Sequence, residues 1–450
     1  MDAAVFLYAI RKIAAAGSAR QPSVFDLEVM HLCMYDWSGT APEREAPAPG
    51  DATEGSLEDH DSIRARVRDL VARHDPGAMP QREFLGHRFD AGLAWVHAPE
   101  GLGGLGASRA LQPVVEEELE AAGVPRLNGA RNPIGLGMGA PTVLAHGTDE
   151  HRARFLRPLW TGEDVWCQLF SEPGAGSDLA GLATRAVRDG DDWVVNGQKV
   201  WTSLAHHARW AMLLTRTDPD ALKHQGMTYF ILDMRAPGVE VRPLRQATGQ
   251  AEFNEVFLND VRIPDTMRVA EPGQGWTVAT TTLMNERVAI GAAAAPREGG
   301  PLGELMTLWR ERPDLRTPGL HHRLVRLWAR AEASRIGNER SRQASAAGKP
   351  GPEGSAAKLA YAALAQDTSR LHLELTGADA LTYDDYTFRR SNMTGSGEVR
   401  CTGFHYLRTR ANSIEGGTNE VLRGIIADRV LDLPREPRTD TRIPWKDIPR

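Results

Sequence analysis

The chain changes its hydrophobic period twice, and those changes divide it. Over residues 63–162 apolar positions recur at helical spacing: RARVRDLVARH and LQPVVEEELEAAG both repeat near 3.6 residues. The glycine-broken PEGLGGLGAS lies between them as a loop, and PTVLAHGTDEHRARFLRPLW predicts two helices split at Gly147. Over residues 165–265 the period falls to two. DWVVNGQKVWTS predicts a hairpin that reverses at Asn196-Gly197, a favoured pair for a tight turn. WAMLLTR, MTYFILDM, GVEVRPL and EVFLNDVRIP follow as short strands punctuated by Pro, Gly or Asp. From residue 275 long helical patterns return: WTVATTTLMNERVAIGAAAA, LHHRLVRLWARAEASRIGNERSRQAS, GSAAKLAYAALAQDTSRLHLELTG and GGTNEVLRGIIADRVL, with loops expected at 296–318 and 348–354.

These periods predict an α+β multidomain fold. An N-terminal α-helical domain spans 63–164, a central antiparallel, barrel-like β-domain 165–274 and a C-terminal α-helical bundle 275–435. Residues 39–62 are rich in Pro, Gly and acid and read as a disordered linker, which makes 1–62 an appendage; 436–450 read as a tail. The opening MDAAVFLYAIRKIAAAGSA has its charges in the wrong order for a signal peptide, Asp2 before the apolar run and Arg11 and Lys12 after it, so a short amphipathic helix is the preferred reading.

Composition narrows the function classes. A length of 450 residues allows about three domains. The net charge is −6, from 53 basic and 59 acidic residues, and the basic ones are scattered, which argues against a sequence-independent nucleic-acid binder. Three cysteines, Cys33, Cys167 and Cys401, form no CxxC, so neither a disulfide framework nor a zinc site is indicated and a reducing, cytoplasmic setting is expected. No apolar run is long enough to span a membrane. The acidic run Glu116 to Glu120 reads as a solvated helix face.

The richest stretch runs from Cys167 to Ser203. It opens with a Gly/Ser turn, SEPGAGSD, and ends in Trp201-Thr202-Ser203. Gly174 and Gly176 let the backbone approach a ligand closely, and consecutive N–H groups in such turns attract anions. Alternate positions on a strand share a face, so Trp201 and Ser203 can reach one flat group together.

The α–β–α order, the SEPGAGSD turn, the KVWTS strand end and the terminal IEGGTNEVLRGIIADRVLDLP together resemble the acyl-CoA dehydrogenase family over residues 63–435. The resemblance implies bound FAD and a coenzyme A thioester substrate, with a base taking the α-proton while the β-hydrogen leaves as hydride to flavin N5. It implies that Gln168, Phe170, Ser171, Gly176 and Ser177 meet the cofactor, with Ser177 also touching the pantetheine. Trp201 would lie against the isoalloxazine, with Thr202 beside it and the Ser203 hydroxyl on N5. Thr418, Asn419 and Glu420 would meet the flavin phosphate or ribose, and the Gly416 N–H would polarise the thioester carbonyl. An electron-transfer flavoprotein is the implied acceptor, and a homo- or hetero-oligomer, dimer or tetramer, the implied assembly.

The base requires a decision. Many members of the family place a glutamate immediately before Gly-Thr in the last motif, where this chain has Gly416. Glu415 stands one residue earlier, and such a displacement redirects a side chain. A second branch has a small residue there and draws its base from a Glu-Arg pair on the helix after the β-domain, matched here by Glu286-Arg287. Trp276, Ala279, Leu283, Glu286, Ile290 and Ala293 follow 3, 4, 3, 4, 3 spacing, which puts Glu286 in the apolar stripe of its helix. A carboxylate there is paired or functional. Burial would raise its pKa towards that of an α-proton base. Glu415 is second choice and could instead cap the last helix. Arg287 would orient substrate.

Two segments depart from the family. The arginine-to-phenylalanine motif that reaches a neighbouring subunit's FAD is not evident in 320–343, and the glutamine-initiated, glycine-rich segment reads Glu374-Leu375-Thr376-Gly377-Ala378. Both leave room for a heteromeric partner or for a non-catalytic FAD-scaffold subunit. Among enzymes the alternative is a flavin oxidase or monooxygenase on the same fold, which differs in letting oxygen reach the reduced flavin. His206 and His207 follow the active strand and receive no role.

Overall fold

The computed structural model describes residues 59–125, 132–292, 297–346, 353–383, 387–390, 401–435, 437, 438, 440 and 442–449; the side chains of 287–292, 342, 344–346 and 353 fall outside that description. The expected N-terminal helix, the linker as far as residue 58, and Cys33 lie outside the described residues. The linker's last residues do not belong to it. Helix α1 (His60–Arg73) begins there because Asp59 and Ser62 cap it reciprocally, with Ser62 N–H donating to the Asp59 carboxylate at 2.8 Å.

Helix α1 buries Ile63, Val67 and Leu70, each stabilising by roughly 1.5–3 kcal/mol. Its partner in the same small core is α3 (Gln112–Ala121), which contributes Val114, Val115 and Leu119. Helix α2 (Gln81–Asp90) carries Arg88, buried, stacked over Trp160 and ion-paired with Glu116. That corrects the reading of the acidic run. Glu117 and Glu120 face solvent, but Glu116 neutralises a buried guanidinium and Glu118 takes Arg68 at 2.6 Å. A π-turn, Gly135–Gly139, leads into α4 (Ala140–His146), and α5 (Asp149–Thr161) follows behind a Thr148 cap. The two helices part at Gly147, as the pattern predicts.

The sheet has eight strands in the order β6-β8-β3-β2-β4-β5-β9, with β1 paired to β4. Their ranges are β1 Trp166–Leu169, β2 Arg185–Asp189, β3 Asp192–Ser203, β4 Trp210–Arg216, β5 Met227–Asp233, β6 Val239–Pro243, β8 Phe253–Pro264 and β9 Arg268–Val269. The sheet is mixed rather than wholly antiparallel: β1 runs parallel to β4, and β2 meets β4 in parallel at Arg185 and Arg216. A separate parallel pair joins β7 (Gln250–Ala251) to β10 (Arg389–Arg390).

The hairpin is not where Asn196-Gly197 predicts it. The chain reverses at Gly190-Asp191, between Asp189 and Asp192, with Gly190 at φ 64°. Asn196 and Gly197 sit inside β3 at a bulge against β8. There the Asn196 amide bonds Asp260 on β8 at 2.9 Å, and a Cβ on Gly197 would stand 2.4 Å from the Thr184 hydroxyl. The pair serves a close approach between strands, not a reversal.

The C-terminal region contains α6 (Gly275–Ala292), α7 (Gly300–Glu311), α8 (Pro318–Ala346), α9 (Glu353–Thr376), α10 (Thr402–Thr409) and α11 (Asn419–Arg429). Helix α7 occupies much of the loop expected at 296–318. Glycine and proline at its ends disguise it, but Leu302 and Leu305 are buried against Leu324, Leu327, Leu371 and Leu375. The loop expected at 348–354 also yields its last two residues to α9; residues 347–352 lie outside the described residues. Glu374-Leu375-Thr376 is the final turn of α9 rather than a glycine-rich loop.

Candidate active site

Three segments converge here: the turn after β1, the end of β3, and the loop between α10 and α11. The turn is closed by reciprocal backbone bonds, each 3.0 Å, between Glu172 and Ala175. Ser177 and Gly176 are exposed, Ser171 and Gln168 half-buried, and a Cβ at Gly174 or Gly176 would meet open space. Phe170 differs: its ring is buried edge-on against Tyr229, 5.8 Å between centroids, so only its backbone faces the turn.

One buried ion pair fastens this turn to β3. Lys199, fully buried, donates to the Phe170 carbonyl at 2.9 Å and to the Glu172 carboxylate at 2.8 Å. Glu172 also accepts from the N–H groups of Ala183 and Thr184. Burial opposes the charge on Glu172, but the ammonium and these donors overcome it and hold its pKa below the ordinary value. Burial depresses Lys199, and Glu172 only partly offsets that. Next along the strand, Val200 N–H bonds the Ser171 carbonyl at 2.9 Å.

Trp201 then turns outward. Strict alternation would put it on the inward face with Trp193, Val195 and Lys199. Instead its φ is 62°, the β3–β8 register shifts between Lys199 and Thr202, and the indole is 58% exposed. The indole meets Phe253 edge-on at 6.0 Å. Ser203 is half-buried, whereas Thr202 points into the interior, and its buried hydroxyl has no hydrogen-bond partner among the described residues. Asn254 holds the Thr202 carbonyl at 3.0 Å and meets His206 Nδ1 at 3.2 Å, so His206 helps anchor the strand end.

On the helical side, Gly416 and Gly417 both adopt left-handed conformations, φ 65° and 90°, which bring the chain to Thr418. Thr418, not Glu415, caps α11, accepting from Val421 N–H at 3.2 Å. Asn419 has a buried amide oxygen without a partner among the described residues, and Glu420 is exposed. Glu415 is held by Arg408 at 2.9 Å; the same guanidinium takes Glu252 at 3.2 Å and lies 5.8 Å over Phe253.

Helix α6 buries Val278, Ala279 and Thr282, with Trp276 and Leu283 half-buried beside them. The stripe is therefore centred one position away from the predicted one. Glu286 follows Thr282 by one turn, stays on that face, and is half-buried. Thr282 is a junction: its hydroxyl meets Thr142 at 2.9 Å and Tyr229 at 3.1 Å, joining α4, β5 and α6. The side chain of Arg287 lies outside the described residues.

Sequence reasoning missed Lys199, Arg408 and Lys358. Lys358 on α9 is 1% exposed and donates to the Gly417 carbonyl at 2.7 Å. Burial lowers its pKa, while the charges of Glu415, Glu286 and Glu420 pull it back up, which places the carboxylates of two candidate bases in its field. The signal was available. Ser355, Lys358 and Ala362 share one buried face, so the rule that singled out Glu286 applies equally to a lysine. Among the described residues no His/Cys/Asp/Glu group could hold a metal, Cys167 is buried and Cys401 is free of any disulfide, and no helix is long and apolar enough to cross a membrane.

Comparison with known proteins places these segments in one family. The chain matches the acyl-CoA dehydrogenase N-terminal domain over residues 58–163, the middle domain over 167–261 and the C-terminal domain over 273–431. It is 41% identical to acyl-CoA dehydrogenase FadE34 of Mycobacterium tuberculosis over 83% of its own length, and spans 49% of that relative. It is 36% identical to acyl-CoA dehydrogenase IpdE1 of the same organism, over 85% of this chain and 100% of the relative. Among solved structures it resembles the Tcur3481-Tcur3483 steroid ACAD, with TM-score 0.63 and 28% identity over 85% of this chain and 100% of the other. It also resembles the ChsE4-ChsE5 complex of Mycobacterium tuberculosis, with TM-score 0.61 and 29% identity over 86% and 100%. The chain belongs to the acyl-CoA dehydrogenase family, a family of flavoprotein oxidoreductases.

Proposed function

We propose that the chain dehydrogenates the Cα–Cβ bond of an acyl-CoA thioester, with FAD as cofactor and Glu286 as base. The observation that carries the choice of base is the capture of Glu415 by Arg408. A carboxylate tied to a guanidinium that is itself tied to Glu252 is already engaged in a structural network. Glu286 continues the buried face of α6.

The residues present suit FAD. An exposed indole, an open glycine turn and the N-terminus of α11 match an aromatic group with polar edges and an anionic tail. Gln168, the Phe170 backbone, Ser171, Gly176, Ser177, Trp201 and Ser203 would hold it from the sheet side, with the Thr202 side chain turned inward behind them, and Thr418, Asn419 and Glu420 from α11. FAD, when bound, supplies the hydride acceptor. Glu286 removes the α-proton, the Gly416 N–H stabilises charge gathering on the thioester oxygen, and Ser177 and Arg287 orient the substrate.

The acyl groups to test first are steroid-derived, after the structurally similar Tcur3481-Tcur3483 steroid ACAD. Anaerobic titration with a panel of acyl-CoAs, read as bleaching of the flavin absorbance, tests the reading. Bleaching in wild type, lost in Glu286→Gln and kept in Glu415→Gln, is expected; loss only in Glu415→Gln reverses the choice of base. An oxidase would instead reoxidise rapidly with peroxide when oxygen is readmitted.

A second reading, a scaffold subunit for a different active chain, draws on the relative described as a two-component complex and on exposed Leu381, Ile414, Val430 and Leu431 in the helical region. It predicts no bleaching by any acyl-CoA in the isolated chain. A homo- or hetero-oligomer, and an electron-transfer flavoprotein as acceptor, complete the proposal.

A further inference from the structure

We propose that residues 438–449 form a strap that positions the Gly/Ser turn for substrate. The strap lies on two cations, Lys223 and Arg216, that hold the exit of the turn, and so sets where Ser177 stands; this rests on the substrate contact proposed above for Ser177. The sequence reads these residues as a tail, yet they run along the loop between β4 and β5. Trp445 N–H donates to the Ala221 carbonyl at 2.9 Å and Lys446 N–H to the Pro219 carbonyl at 3.1 Å. Pro444 forms an antiparallel bridge with Leu222.

The turn is fastened at both ends by different means. Its entry is held by Lys199, through Phe170 and Glu172. Its exit is held from the β4–β5 side. Lys223 Nζ takes the Asp178 carboxylate at 2.8 Å. Arg216, at the end of β4, donates to the Ala180 carbonyl at 2.6 Å and to the Lys223 carbonyl at 2.7 Å. Ser177 stands between these fastenings, next to Asp178. The strap reaches both cations. Asp440 takes Lys223 at 2.9 Å, and the Trp445 ring lies 4.7 Å from the Arg216 guanidinium. Asp440 is itself fixed by Arg438, which bonds both of its oxygens, at 3.0 and 2.8 Å. An ammonium has three donors, so Lys223 serves Asp178 and Asp440 together. Asp178 is 62% exposed, and an ion pair open to solvent on both sides contributes little. With Asp440 and Trp445 against them, Lys223 is 7% exposed and Arg216 is buried, and bonds shielded from water in this way are less screened. The strap thus turns two weak surface contacts into firm ones. Its residues, with Lys223, are positioning residues.

The test uses the flavin-loaded full chain in wild type, Lys223→Met, Lys223→Arg and the double variant Asp440→Ala/Trp445→Ala. The double variant changes the strap and leaves the turn and both cations in place. Three quantities are read: the KM and the limiting rate of flavin bleaching by a reactive acyl-CoA, and the amide hydrogen exchange of residues 176–181 in the substrate-free protein. In Lys223→Met and in the double variant, KM rises about five- to tenfold while the limiting rate stays within about twofold. Exchange of the turn quickens about fivefold or more in the same two proteins. Lys223→Arg, which keeps the charge, stays within about twofold of wild type on all three. An unmoved KM or unmoved exchange in either Lys223→Met or the double variant overturns the proposal. So does loss of flavin, or a limiting rate that falls in step with the rise in KM, which would make the strap scaffold alone. Absence of bleaching in wild type instead refutes the proposed function, and the exchange still decides whether the strap fixes the turn.

Discussion

The two walls of the site are built by opposite means. The sheet wall is buried and doubly fastened: Lys199, Glu172, Asn254 and Val200 hold the turn and the strand end by side-chain and backbone bonds together. The helical wall relies on charges in partial contact with solvent, with Glu286, Glu415 and Arg408 half-buried and a two-glycine loop between them. Exposed large apolar side chains follow the same division. Among the described residues they are sparse on the sheet, Val187 and Trp201, and numerous in the C-terminal region, on its helices and the segments between and after them, from Met284 to Leu433. On the proposed function the difference has a reason: a surface that holds a flat ring still is over-determined, whereas a surface that exchanges a proton keeps charges that can respond to their neighbours.

Four changes would break or sharpen this contrast. The largest falls on the helical wall. Glu286→Gln lowers the rate of flavin bleaching by about 10³-fold or more with flavin content intact, measured by anaerobic stopped flow. Equal loss in Glu415→Gln would remove the distinction between the two acids.

The sheet wall answers in stability instead. Lys199→Met leaves Glu172 buried and unpaired and costs about 3–5 kcal/mol, read from denaturant midpoints. Replacing both partners with apolar residues restores much of that loss. A change of less than about 1 kcal/mol in the single variant would mean that the pair is not what holds the turn.

Thr282→Val probes the seam between the walls. It deprives Thr142 and Tyr229 of a shared partner and costs about 1–3 kcal/mol. Calorimetry should show a lowered transition, with the bleaching rate changed only a few-fold.

The smallest effect concerns pH and lies away from both walls. Burial, and after it the charge of Arg109, pushes His97 from 6.5 down to about 4. Below pH 6.5 the unfolded chain takes up a proton that the folded chain refuses. Stability is therefore lost as pH falls from about 6.5 to about 4, and levels below that. With partial exposure discounted, the loss is about 1–2 kcal/mol. His97→Gln should flatten that portion of the pH–stability curve.

Much of the architecture was legible because long periods average over exceptions. The period of two over residues 165–265 and the paired helices around Gly147 needed no single residue to be right. Local signals did worse where one residue type serves two ends. Asn196-Gly197 has the chemistry of a reversal but is spent on a bulge, since Gly197 must clear Thr184. Helix α7 was hidden by Gly300, Pro301 and Pro313 at its ends, although Leu302, Leu305, Met306 and Trp309 keep helical spacing.

The site was legible in part, by resemblance for the turn and strand end and by periodicity for Glu286. What escaped were the cations. Lys199, Lys358 and Arg408 are ordinary surface residues by type, and only tertiary contacts reveal which acids they neutralise. The alternation of β3 does put Lys199 in phase with Trp193 and Val195, so an inward lysine could have been inferred.

The left-handed backbone at Trp201 has a mechanical consequence. A bulky residue held at φ 62° stores on the order of 1–3 kcal/mol that a regular strand would release. Release, however, requires the indole to swing through to the opposite side of the sheet, where Lys199 and its partners already fill the interior. The bonds from Val200 to Ser171 and from Asn254 to Thr202 brace the backbone on either flank. The strand end therefore behaves as a spring pinned at both ends, and the ring it presents keeps its outward heading whether or not anything rests against it.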